Sequence, residues 1–388
     1  ENEKHKKNSG KIAKAVFYIE NSKSMFGYTK GLNNYFKAVS SLAQKNRFIS
    51  DNVRREFYFV NGGNKLDVNK IGDDPKVLKS KLNKSGFNQG SVRHSNLNKM
   101  FQLALSKATR DTISMLISDG IYDVGSDEPS KALYNESEDT KESFINNLDK
   151  NDVQTLVIKL NSQFDGNYYP VTGGIEKISQ NRPYYIWIFG RSELLNDYFS
   201  NSYNMSLEGF QNSARFLKVE NISVPYEVTS HAKLGNFRTL TGNKNTLAEV
   251  KKNKYSKDFQ FTVAVDYSEI PLPESYLLSR KNYKVDNSNY KNIKVSSTDS
   301  IDLYGLNIKP THLLYLKTKS NPFGELNISM VNNMPNWIEK THIDNEENIA
   351  GDNTHTFGFK FLINGMYNAY DYINQNKDIT TISIQLKK

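Results

Sequence analysis

The strongest constraint on this chain is a repeated alternation, over residues 11–200, of short apolar runs with amphipathic stretches. Residues 13–20 (AKAVFYIE) make a run of strand type. In residues 31–44 (GLNNYFKAVSSLAQ), Leu32, Tyr35, Phe36, Val39 and Leu42 fall at helical spacing. Residues 56–60 (EFYFV) predict a strand closed by Asn61-Gly62-Gly63, a turn signal. Residues 74–82 predict a short helix with Pro75 in its first turn. Residues 95–108 (SNLNKMFQLALSKA) predict an amphipathic helix with Ser95 as N-cap and Leu97, Phe101, Ala104 and Leu105 on one face. TISMLIS at 112–118 predicts a buried strand ending on Asp119-Gly120. Helices over 139–148 and 192–198 and strands over 153–160 and 184–189 complete the pattern. Such alternation predicts an α/β fold, a doubly wound and mostly parallel sheet with helices on both faces. Ligands of these sheets sit at the carboxyl ends of strands. Three polar loops, 20–28, 86–96 and 119–130, fall on that edge.

The pattern changes near residue 205. Residues 222–229, 259–266, 311–319, 326–331, 356–363 and 380–386 are strand-like, with Asn, Gly, Pro and Ser between them. Residues 366–375 (MYNAYDYINQ) are the main helical candidate. This half predicts an all-β sandwich, one large or two small. The expected plan is a disordered lead at 1–10, an α/β domain at 11–204 and a β region at 205–388.

A chain of 388 residues, 37 % hydrophobic, can supply two cores. It has no cysteine, which excludes disulfides, thiolate metal sites and cysteine nucleophiles. No run approaches the roughly 18 apolar residues of a membrane helix. The net charge is +9, but lysines are scattered, with no Arg-rich helix and no aromatic RNA-binding signature. Nucleic acid is therefore not an expected partner. The opening ENEKHKKNSGK lacks an initiator Met and is polar. It reads as a bacterial chain trimmed after a signal peptide or lipid anchor, so an extracytoplasmic location is expected, with the cytoplasm as the alternative.

One stretch carries chemistry: FYIENSKSMFGY, residues 17–28. A strand ends in Glu20-Asn21-Ser22-Lys23-Ser24-Met25; later Ser95 opens an amphipathic helix; later still a strand ends in Ser118-Asp119-Gly120. In order and placement these pieces resemble the von Willebrand factor type A (vWA) domain and its metal-ion-dependent adhesion site, across residues 11–200. The resemblance implies a divalent metal, Mg²⁺ or in its place Mn²⁺ or Ca²⁺, held by Glu20, Ser22, Ser24, Ser95 and Asp119. It also implies a protein partner whose acidic group completes the metal shell. The chemistry suits the residue types, because Mg²⁺ is hard, takes oxygen ligands and keeps several waters. Glu20 stands where the family has Asp, which moves the carboxylate one bond further. Lys23 places an ammonium beside the site. Two outcomes stay open on the residues alone: a metal-dependent binding domain, or a metal-free scaffold in which Ser22, Ser24 and Asp119 act as turn and helix caps.

The remaining candidates have plainer readings. The histidines at 5, 94, 231, 312, 342 and 355 show no i, i+4 pair, and His94 reads as exposed surface at the second loop. Residues 344–352 (DNEENIAGD) are an acidic stretch, with Ile349 where an EF-hand loop has glycine; a solvated loop is expected. Residues 183–189 (PYYIWIF) read as core rather than a carbohydrate or peptide platform. Ser22 and Ser24 sit in no G-x-S-x-G elbow, so a metal-dependent hydrolase in the same cleft is the lesser alternative to protein binding.

Overall fold

The structure is a computed structural model that describes residues 10–125, 127–148, 152–219, 221–374 and 376–388. Most of the expected lead, residues 1–9, lies outside the described residues. The chain makes two compact units. The first is Glu1–Lys218 with Met334–Gln375; the second is Val219–Asn333 with Asn376–Lys388. One cut at 204/205 does not describe this. The chain leaves the first unit later, comes back to it for some forty residues (334–375), and then finishes in the second.

The first unit is built on a seven-stranded sheet. Its strands are β1 (Lys14–Glu20), β2 (Arg54–Asn61), β3 (Asp67–Gly72), β4 (Thr112–Ser118), β5 (Gln154–Tyr168), β6 (Glu176–Gly190) and β7 (Phe210–Phe216). They lie in the order β3-β2-β1-β4-β6-β5-β7. Strand β1 pairs in parallel with β2 on one side and β4 on the other. The other pairings, β2–β3, β4–β6, β5–β6 and β5–β7, are antiparallel. The parallel character predicted by the alternation is thus found at the β2-β1-β4 centre, where a helix separates consecutive strands. The flank differs because β5 and β6 are 15-residue strands of one long hairpin. A short connection of this kind can only make an antiparallel pair.

Alternation along β1 sets the two faces. Phe17 and Ile19 point into one hydrophobic core, Val16 and Tyr18 into the other. Helices α1 (Asn34–Ala43) and α2 (Pro75–Lys81) contribute Tyr35, Val39, Leu42 and Leu78 to the first core. Helices α3 (Leu97–Lys107) and α4 (Pro129–Leu148) contribute Met100, Phe101, Leu105 and Phe144 to the second. Helix α5 (Ser192–Tyr198) returns to the first core. Helix α6 (Phe359–Ile373), from the returning segment, completes the second with Leu362, Ile363, Met366 and Tyr370. Residues Tyr184 to Phe189 of PYYIWIF are fully buried, as a core strand should be.

Helix α6 corrects the expected strand over 356–363. Extended backbone there is limited to Thr356–Phe357; helix begins at Phe359 after Gly358. The buried set Phe359, Leu362, Ile363, Met366, Ala369 and Tyr370 has helical, not alternating, spacing. Gly365 explains how closely α6 packs: a Cβ there would lie 2.5 Å from Ser137 O and 2.7 Å from Thr140 Cβ on α4.

The second unit holds two sheets. With β8 (Tyr226–Leu234), β9 (Asn236–Leu240), β10 (Asn243–Lys251), β11 (Phe259–Val265), β12 (Tyr283–Val285), β13 (Tyr290–Ser297), β14 (His312–Thr318) and β15 (Gly324–Val331) goes the last strand of the chain. Counting β16 (His342–Ile343) and β17 (Thr356–Phe357) of the first unit, that strand is β18 (Asp378–Leu386). The orders are β12-β15-β18-β10-β9 and β13-β14-β11-β8. Pairing is antiparallel except between β10 and β18. Strand β18 alternates cleanly, burying Ile382, Ile384 and Leu386.

Candidate functional site

The three loops expected to carry chemistry do converge at the carboxyl ends of β1 and β4. Strand β1 delivers Glu20 fully buried. The chain then turns into a 3₁₀ helix over Lys23–Thr29, fixed by Met25 N–H donating to Ser22 O (3.0 Å) and by burial of Met25 and Tyr28. This turn aims Ser22 and Ser24 back over the strand end. Ser22 Oγ donates to Glu20 Oε1 at 2.7 Å and lies 3.0 Å from Ser24 Oγ. Ser95 Oγ donates to the same Glu20 oxygen at 2.6 Å. Asp119, 4 % exposed, closes the group from the end of β4, within hydrogen-bonding reach of Ser24. All five residues singled out by sequence are therefore neighbours.

Ser95 has a different job from the one expected. The N-cap of α3 is Asn96, whose side chain accepts from Lys99 N–H at 3.0 Å. That leaves the Ser95 hydroxyl free to point at Glu20. The second loop is clipped down by Gly62, whose N–H donates to His94 O (2.9 Å) and whose O accepts from Asn96 N–H (3.0 Å).

Sequence reasoning missed the frame beneath the site. Asn21, directly after β1, and Asn61, the last residue of β2, each come one position past the Glu20–Val60 register pair, and both are fully buried. Asn61 Nδ2 donates to Asn21 Oδ1 (2.9 Å) and to Gln89 O (2.6 Å); Asn21 Nδ2 donates to Phe87 O (2.8 Å) and Gln89 O (3.0 Å). Two amides thus hold the second loop against the first. The available signal was an Asn directly after each of two neighbouring apolar runs.

The floor of the site is electrostatically uncomfortable. Burial pushes the Glu20 carboxyl up to about 7, and the Asp119 charge pushes the same way, against the hydroxyls of Ser118, Ser95 and Ser22. Burial also raises Asp119, although Ser24, the Ile121 N–H and Arg182 hold it back. Glu20 Oε2 is buried with no hydrogen-bond partner. Among the described residues no group of three or more His, Asp or Glu side chains could hold a metal by itself. The set here is two carboxylates and three hydroxyls.

Above this floor opens a cavity of about 370 Å³. Ser22, Ser24 and Ser95 face it, with Lys23 and Arg93 supplying positive charge and His94 and Asp123 beside them. His94 is exposed, as expected, but it also meets Asp123 at 3.5 Å. The opposite lip is Tyr168–Val171, at the tip of the β5–β6 hairpin. Most of the acidic stretch 344–352 is exposed, as expected of a solvated loop, but Glu346 and Ile349 are buried. Glu346 is 6 % exposed, accepts from the Tyr168 hydroxyl and from Val171 N–H (2.7 Å), and so ties down that lip. Its carboxyl is raised by burial and pulled back by Tyr168, Val171 and Arg182. No family model, curated protein or solved structure matches the chain.

Proposed function

We propose that the first unit is a vWA-like binding domain that takes a hard divalent cation at Glu20, Ser22, Ser24, Ser95 and Asp119, and that a protein partner binds there through an acidic group. The second unit is read as a β-sandwich attached to it. One observation carries the reading: two buried carboxylates lie behind three serine hydroxyls that line a cavity, and among the described residues no cation pairs with Glu20. Two adjacent buried acids are costly alone. A divalent ion would balance both charges and occupy the buried, unpartnered Glu20 Oε2. The donor set is all oxygen, as Mg²⁺ prefers.

In this reading the serine hydroxyls, Asp119 and Glu20 Oε2 would hold the ion, while Glu20 Oε1 orients Ser22 and Ser95 by accepting their hydrogens. When bound, the ion supplies an open coordination position for a carboxylate. Lys23 and Arg93 at the cavity would favour the approach of an acidic segment, and the tyrosine lip would contact what flanks it. Titration of metal-stripped protein with Mg²⁺, Mn²⁺ and Ca²⁺, followed by thermal midpoint, tests this. A rise in wild type that Asp119→Ala and Ser22→Ala both lose is the expected result. No rise at millimolar metal rejects it. Turnover of generic ester or phosphate substrates by the metal-loaded protein would instead favour a hydrolase.

A further inference from the structure

We infer that the second unit carries an independent docking surface for anionic phospholipid headgroups, built from lysines that converge at one end of its sheets. Lys251, Lys252, Lys254 and Lys257 lie in and beside the β10–β11 loop, Lys319 follows β14, and Lys387 follows β18. All six are exposed. These segments are distant in sequence but joined in space. Lys387 N–H donates to Leu247 O at 2.8 Å, and Val250 N–H donates to Lys387 O at 3.3 Å, which sets the end of β18 beside β10. Lys252 Nζ donates to Lys319 O (3.0 Å) and Ser320 O (3.2 Å), which ties the loop to the β14–β15 turn.

The acids at this end offset the six lysine charges only in part. Asp258 is held by Lys317 at 2.8 Å, and Glu249 by Arg238 at 2.6 Å. Glu325 stands at the start of β15. The loop also has a fixed shape. Asn253 Oδ1 accepts from both Tyr255 N–H (2.9 Å) and Ser256 N–H (3.0 Å), and Asn253 N–H donates to Asp258 O (2.8 Å). This holds Tyr255, 88 % exposed, in the loop that carries Lys252, Lys254 and Lys257.

The composition of the patch selects the partner. Lysine is a flexible point charge that responds to a field rather than to planar geometry, and the six cations contain no arginine fork for base edges. One aromatic is too few for a stacking platform on single strands. An exposed tyrosine in a loop of lysines, with further lysines on adjoining segments, instead suits an anionic bilayer surface, where the ring sits at headgroup level. Each lysine near such a surface strengthens binding by about fivefold.

Co-sedimentation of the full chain with vesicles of phosphatidylcholine containing 30 % phosphatidylserine, against pure phosphatidylcholine, is the test. Binding to the anionic vesicles alone is expected, weakening steeply as salt is raised. Lys251→Gln/Lys254→Gln/Lys257→Gln should lower affinity by about a hundredfold with an unchanged thermal midpoint. Lys319→Gln/Lys387→Gln, on the two other segments, should lower it by more than tenfold, and serves if the triple variant is unstable. Equal binding to neutral vesicles overturns the inference. So does wild-type-like binding by both variants, or capture of a single-stranded oligonucleotide with no vesicle binding.

Discussion

At the metal-free floor of the cavity, burial and the Asp119 carboxyl beside it both disfavour a charged Glu20. The folded chain raises Glu20 from 4.5 to about 7, so folding favours its protonated form. That contribution is complete below pH 4.5 and is lost as pH rises through 7. Metal-stripped wild type should therefore lose thermal midpoint between pH 5 and pH 8, and Glu20→Gln should lose much less. Scanning fluorimetry across that range checks it; parallel curves for the two proteins would refute the account. Saturating Mg²⁺ should narrow the wild-type difference, because a bound cation stabilises the charged pair. Asn96 permits a second check at this scale. Asn96→Ala removes the α3 cap and should cost about 1 kcal/mol by urea denaturation, while leaving the metal response intact. Glu20, Ser22, Ser24, Ser95 and Asp119 were legible because each borders a strong apolar run whose end could be placed. Asn21, Asn61 and Glu346 were not, since what they do depends on loops distant in sequence.

Elements were legible in proportion to their internal periodicity. Strand β4 was read over its observed span, 112–118. Helix α3 was read within two residues at its start. Strand β3 was missed, because DVNKIG is only half-buried at a sheet edge and carries little apolar signal. Helix α6 was misread at its start, where THTFGFKFLI is rich in aromatic and β-branched residues that favour strands in isolation. Its packing on α4 decides the matter, and Gly365 is where they meet. Gly365→Ala gains about 1 kcal/mol of helix propensity but drives a Cβ into backbone oxygen. The variant should be destabilised by about 1–2 kcal/mol in urea; a stabilised protein would contradict the close approach. The hairpin lip offers a parallel case. Glu346→Ala strands the Tyr168 hydroxyl and Val171 N–H, so hydrogen exchange around 168–175 should rise about tenfold or more.

At the scale of the molecule, the first unit depends on chain that arrives 116 residues after it first leaves, from 218 to 334. Helix α6 places Phe359, Leu362, Ile363, Met366, Ala369 and Tyr370 in the second core. At roughly 1.5–3 kcal/mol for each large buried side chain, its removal approaches the whole stability of a domain. A fragment spanning 10–218 should therefore fail to give a cooperative transition by circular dichroism. Joining 334–375 to it through a flexible linker should restore one. A cooperative 10–218 fragment would show that α6 is an accessory.

What the sequence determined by itself is local. It set the identity and approximate ends of the strands and helices with clean period-2 or period-3.6 burial, and the position of the oxygen-rich residues at strand ends. The reason is that burial on one face forces a pattern that any reader of the chain can see. What only the tertiary structure decided is every pairing between distant segments. These include the antiparallel β5–β6 flank, the return of 334–375 to the first unit, the amide frame of Asn21 and Asn61, and the meeting of lysines from three segments at one end of the second. None of these leaves a local period, because each is selected by which surfaces remain to be covered once the local elements have formed.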